Sequence, residues 1–138
     1  MKTAVLGLGE EIKGDDGIGK YVIDRLRKKK ISYLLVYSSV PENAFVKLRG
    51  KQIDKLIIVD AADFSGRPGE FRIIKNFSEQ KRLSTHSTSI SNIMKYIKKS
   101  IGIADIELIA IQVKSIGFGS RMSKEVRKAG DTIVGLLS

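Results

Sequence analysis

"DKLIIVDA", residues 54–61, sets four apolar residues in succession, Leu56 to Val59, between a charged entry and a single acid, Asp60. Strict alternation would mark a strand with one wet face. An unbroken run of β-branched and aliphatic residues marks a strand buried on both faces, as in a parallel sheet covered by helices. The segments on either side fit that frame. "KTAVLGLG" (2–9) and "YLLVYSS" (33–39) are short apolar runs of the same kind, and "DIELIAIQVKS" (105–115) is another.

Between these strands the period changes. In "GIGKYVIDRLRKKK" (17–30), Ile18, Val22 and Leu26 recur at helical spacing, as do Tyr21 and Arg25, so a helix is expected from near Gly17. "PENAFVKLRGK" (41–51) is expected as a short helix with Pro41 in its first turn. A helix after His86 would carry Ile90, Ile93, Met94 and Ile97 on one face. "SKEVRKAGDTIVGLLS" is expected as a closing helix capped at Ser123. "FRIIK" (71–75), after the turn-rich "ADFSGRPGE", is a short further strand with an antiparallel edge as its natural place. Strands alternating with helices give an α/β class with a mostly parallel sheet and helices on both faces. With 138 residues and no repeat or linker, the chain is expected to form a single domain over 1–138.

Composition narrows the functions. There is no cysteine, hence no disulfide framework, thiolate nucleophile or Cys-ligated zinc. No apolar run approaches the roughly 18–20 residues that span a bilayer, so no membrane insertion is expected. The opening segment lacks the longer apolar stretch of a signal peptide, and a cytoplasmic protein is the expectation. Net charge is +10, yet the cations are scattered apart from short blocks at Arg25–Lys30 and Lys95–Lys99. Both blocks fall late in expected helices, where cations suit the dipole, and no aromatic residues interleave with them. A solvated basic surface is therefore expected, with no nucleic acid partner.

In open α/β sheets, ligands gather beyond the carboxyl ends of the strands. That rule selects loops 9–17, 60–69 and 115–121, and the approach to His86, the only histidine. The first loop imitates a phosphate cradle. Gly7 and Gly9 fit the dinucleotide pattern, but Ile12 takes its third glycine; Gly14, Gly19 and Lys20 fit a P-loop, but Tyr21 stands where Ser or Thr is needed. Glu10, Glu11, Asp15 and Asp16 would repel phosphate, so a cation suits the loop better. Asp16, Asp60 and His86 together make a mixed oxygen and nitrogen donor set compatible with nickel or zinc. Each also has a plainer reading: Asp15 or Asp16 as a helix N-cap, Asp60 as an Asx-turn, His86 as a cap beside Ser and Thr.

The same residues carry a resemblance to the maturation endopeptidases of nickel–iron hydrogenases. "VLGLGEEIKGDDGIG" resembles that family's G-x-G-N-x-x-x-x-D-D-G-x-G motif after the first strand. "SSVPEN", "IIVDAADFSGRPGEFRII", "STHSTSI" and "IAIQVKSIGFGSRMS" are similar to its later elements, in order and in register. The likeness runs from residue 3 to about 137 and is best to the branch serving membrane-bound, formate-lyase-type hydrogenases. It implies a twisted five-stranded sheet between helices. It also implies a peptidase that removes the C-terminal extension of the hydrogenase large-subunit precursor once nickel is in place. The residues it assigns to the metal are Asp16, Asp60 and His86, with nickel supplied by the precursor, no tightly held resident metal, and a monomer as the working unit. A non-catalytic nickel-site checkpoint or chaperone is the competing class. One departure stands out: Glu10 replaces the motif's Asn. Asp63, the second acid of the central block, is expected to structure its loop.

Overall fold

The computed structural model describes residues 1–75 and 94–138. Five strands form one sheet: β1 (Thr3–Leu8), β2 (Leu34–Ser38), β3 (Lys55–Ala62), β4 (Phe71–Ile74) and β5 (Asp105–Gln112), in the order β2-β1-β3-β5-β4. All neighbours are parallel except β4, which runs antiparallel to β5 at the edge, with Phe71 opposite Ile111. The expected α/β class with a mostly parallel sheet is the one observed.

Three helices follow in chain order: α1 (Ile18–Arg27), α2 (Asn43–Leu48) and α3 (Lys124–Leu137). Residues 94–101 are also helical, and their last turn, Ile97–Ile101, is π-wound and stops at Gly102 in the left-handed region. Alternation along the buried strands divides the core in two. Val5, Ile57, Val59 and Ala61 face α1 and α3, meeting Ile18, Val22, Leu26 and Ile133. Ala4, Leu6, Leu56 and Ile58 face the other way, toward Ala44 and Leu48 of α2 and toward Met94 and Ile97. Each fully buried Val, Leu or Ile among them contributes roughly 1.5–3 kcal/mol. The four-residue apolar run of β3 is thus explained by its central place, with a helical layer on each face.

α1 lies unusually close to the sheet. A Cβ on Gly19 would come within 2.3 Å of the Leu8 carbonyl oxygen and 2.9 Å of that of Val59. Only glycine lets the first turn of α1 rest directly on the carboxyl ends of β1 and β3. Across the helical layer, Tyr21 donates to Asp131 of α3 at 2.6 Å, and Arg25 pairs with the same carboxylate. The helical spacing of Tyr21 and Arg25 therefore serves this contact between helices.

Two local expectations need correction. Pro41 precedes α2, whose first helical residue is Asn43, because the chain first makes a turn at residues 41–42. A 3-10 turn, Gly14–Gly17, comes before α1, and neither Asp15 nor Asp16 caps a helix; the N-cap positions are Lys13 and Gly17. The Ser123 cap of α3 is present, its side chain accepting from the Val126 amide.

Candidate active site

β1 and β3 are adjacent and parallel, but the chain leaves β1 toward β2 and leaves β3 toward the opposite half of the sheet. Their carboxyl ends therefore form the switch point where a crevice opens in such sheets. Two acids come to it. Asp60 lies inside β3, opposite Ala110 of β5, and is buried. By strand alternation it shares the face of Leu56 and Ile58, the face on which the described chain resumes at Met94. Asp16, also buried, closes the loop after β1, three positions before the glycine that contacts Leu8 and Val59.

The loop holds Asp16 by backbone geometry. Gly9 has φ +117°, and a Cβ there would fall 2.0 Å from the Asp16 carbonyl oxygen. The Glu10 amide donates to Asp16 Oδ2 at 2.8 Å, and the Tyr37 hydroxyl donates to the Gly9 carbonyl at 2.7 Å. Burial raises the Tyr37 phenol above its ordinary pKa; Lys20 opposes this, while Glu11, Glu10 and Asp16 add to it. The phenol thus stays protonated and able to donate. The Glu10 side chain faces Lys13 at 3.6 Å, with both partly exposed. The departure from the motif's Asn is therefore a surface ion pair, while the Glu10 amide serves Asp16.

Asp15, next in sequence, does something else. Its carboxylate accepts from the amides of Lys114, Ser115 and Ser123 and from the Ser123 hydroxyl, at 2.6–3.0 Å. The Asp15 amide in turn donates to the Ser115 carbonyl at 2.9 Å. In place of a cap, the residue ties the first loop to the loop after β5 and to the start of α3. Two adjacent acids therefore have different partners: Asp15 joins loops, and Asp16 accepts from the Glu10 amide within its own loop.

The loop after β3 is organised by Gln112, which the sequence reading left without a role. Its Oε1 accepts from the Phe64 and Gly66 amides at 2.8 and 3.1 Å, and its Nε2 donates to Asp63 at 3.2 Å. Asp63 also accepts from the Ser65 amide, so the Asx-turn of this block is Asp63's, while Asp60 remains within the strand. The Ser65 amide and then Gln112 hold the Asp63 carboxyl below its usual pKa. The signal for Gln112 was its place in the last strand, but its role depends on Ala62 pairing with it across β3 and β5.

His86 lies outside the described residues. Among the described residues no three His, Asp or Glu side chains form a metal-holding group. Also among them, no helix is long and apolar enough to cross a membrane.

Comparison with known proteins agrees with this architecture. A family model of hydrogenase maturation proteases, of the HycI type, matches residues 38–138. A Methanocaldococcus jannaschii protein whose name places it among the hydrogenase maturation proteases is 34% identical, over 99% of this chain and 86% of its own. The hydrogenase 3 maturation protease of Escherichia coli K12 is 29% identical, over 96% of this chain and 86% of its own. The solution structure of the endopeptidase HycI from Escherichia coli superposes with a TM-score of 0.89 at 27% identity, covering 99% of this chain and 89% of that one. With the family model matching residues 38–138 and a relative 34% identical over 99% of its length, the chain belongs to the hydrogenase maturation proteases.

Proposed function

We propose that this peptidase removes the C-terminal extension of a nickel–iron hydrogenase large-subunit precursor after nickel insertion, and that it reads the precursor's nickel through Asp16, Asp60 and His86. The observation that supports the reading is the burial of two carboxylates in adjoining segments, Asp60 in β3 and Asp16 in the loop that follows the neighbouring strand β1. Two carboxylate oxygens and an imidazole nitrogen suit a divalent ion of nickel's kind. The nickel belongs to the substrate, and the protein's part is to supply ligands that complete its coordination. The scissile peptide is thereby brought beside the two acids. The ion can lower the pKa of an attacking water, or a carboxylate can take that water's proton. Water exclusion around the buried acids strengthens their attraction for the ion.

The test uses isosteric amides at the two acids, because Asp16 accepts a backbone amide and truncation would strand that donor. Asp16→Asn, Asp60→Asn and His86→Ala are expected to lose cleavage of a nickel-loaded precursor while melting within a few degrees of wild type. Loss of a metal bridge worth about 4 kcal/mol corresponds to roughly a thousandfold. Normal release of the C-terminal peptide by any of the three folded variants would remove that residue from the site.

A further inference from the structure

The loops that flank Asp16 display apolar side chains to solvent. Ile12 is 56% exposed, Ile116 43% and Phe118 76%. Their loops are locked together: the Gly119 amide donates to the Ile12 carbonyl at 2.7 Å, and Asp15 binds Ser115 in both directions. A Cβ on Gly14 would come 2.3 Å from Ser120 Oγ, so the two loops touch there as well. The three apolar residues therefore stand on two joined loops, Ile12 on the one that leads to Asp16 and Ile116 and Phe118 on the one after β5. The other exposed large apolar residues among those described are dispersed: Met1 at the start of the chain, Val40 in the turn after β2, and Val46, Ile73 and Leu136 on α2, β4 and α3.

We infer that Ile12, Ile116 and Phe118 form a specificity wall that receives an apolar side chain of the polypeptide substrate next to the scissile bond. A peptidase must lay an extended segment across the crevice holding its acids, and the residues flanking the cut must pass over the walls of that crevice. Ile12 is four residues from Asp16 on the same loop, and Ser115 is bound by Asp15, its immediate neighbour, so both loops of the wall are anchored next to the proposed site. An exposed aromatic ring on a scaffold fixed by the Asp15 hydrogen bonds presents apolar area at little entropic cost. Apolar area so presented is covered when a complementary side chain arrives, and water is released. The occupant is thus one apolar residue of the precursor, and the wall selects sequence while the acids select metal.

This inference rests on the proposed function, and its test separates the two. Wild-type protein, Phe118→Ser and Ile12→Ser are assayed on a nickel-reconstituted precursor. They are also assayed on precursors in which each apolar residue flanking the cut is changed singly to Ser. Unchanged melting curves establish folding, as expected for exposed positions. Phe118→Ser should lower kcat/KM about tenfold, mainly through KM, the effect of losing about 1.4 kcal/mol of binding. For one flanking position, combining the enzyme and precursor changes should cost no more than either alone, because both remove the same contact. Unchanged kcat/KM in both variants, or strictly additive losses at every flanking position, would overturn the wall while leaving the nickel reading intact. Failure of the wild-type protein to cut any nickel-loaded precursor would overturn both.

Discussion

Asp15 and Ser123 are joined twice across 108 positions of sequence: the Ser123 amide donates to Asp15 Oδ1 at 2.6 Å, and its hydroxyl to Oδ2 at 3.0 Å. The same hydroxyl accepts from Val126 and so caps α3. One buried carboxylate thereby fixes the loop carrying Asp16, the loop after β5 and the start of the last helix.

The consequence is a division of labour that mutation can expose. Asp15→Ala would leave the partly buried amides of Lys114, Ser115 and Ser123 without this acceptor, at a cost of about 2 kcal/mol. Asp15→Asn, which keeps one carbonyl oxygen, should cost less. Urea unfolding measures both, and an Asp15→Ala variant as stable as wild type would contradict the tie. Asp16→Asn should show the opposite pattern, with stability largely kept and processing lost.

How much of this was legible follows from the range over which each feature is specified. The run Leu56–Val59 announced a doubly covered strand because burial on both faces is written locally. The Ser123 cap was legible because its acceptor and donor are three residues apart. Asp15 was not, since its partners lie some 100 positions away and nothing nearby distinguishes it from Asp16. Gln112 was hidden for the same reason: its loop hydrogen bonds reach back 46 to 49 positions. The 3-10 turn before α1 was missed because Asp before Gly-Ile-Gly reads equally as a cap. Of the proposed site, Asp60 lies within β3 and Asp16 in the 3-10 turn that follows β1, both buried, and His86 lies outside the described residues.

Acid should weaken the fold through Glu107 on β5. Burial by itself would raise its pKa, but hydrogen bonds and charge from Lys55 at 3.1 Å and Lys75 at 3.4 Å bring it below the ordinary value. A carboxyl depressed in the folded state stabilises above its unfolded pKa, about 4.3, and that contribution disappears as pH falls through the lower folded value. Glu107→Gln should therefore lose about 1 kcal/mol at pH 7 and nothing further on acidification from this source. Urea titrations at pH 7 and pH 3 compare the two proteins, and an equal loss of stability on acidification in both would contradict the assignment.

Resident metal is a separate matter. If Asp16, Asp60 and His86 are the ligands proposed, three donors from separate segments leave coordination positions for the substrate side, and the isolated protein should bind Ni²⁺ or Zn²⁺ only weakly. Metal analysis after a chelator wash is expected to find the protein substantially empty, with competition titrations placing the affinity in the micromolar range or weaker. Stoichiometric zinc that survives the wash would indicate a resident catalytic ion, and recognition through the precursor's own nickel would then fail.

The most direct measurement compares matched precursor preparations, one metal-free and one reconstituted with nickel, each incubated with the wild-type protein while mass spectrometry follows the C-terminal peptide. If Asp16, Asp60 and His86 read the ion, its absence removes the bridge that brings the scissile bond to the two acids. A bridge worth about 4 kcal/mol makes that a difference of roughly a thousandfold in rate or occupancy. The nickel-loaded precursor should release its extension and the metal-free precursor should remain intact; equal cleavage of the two would contradict the account.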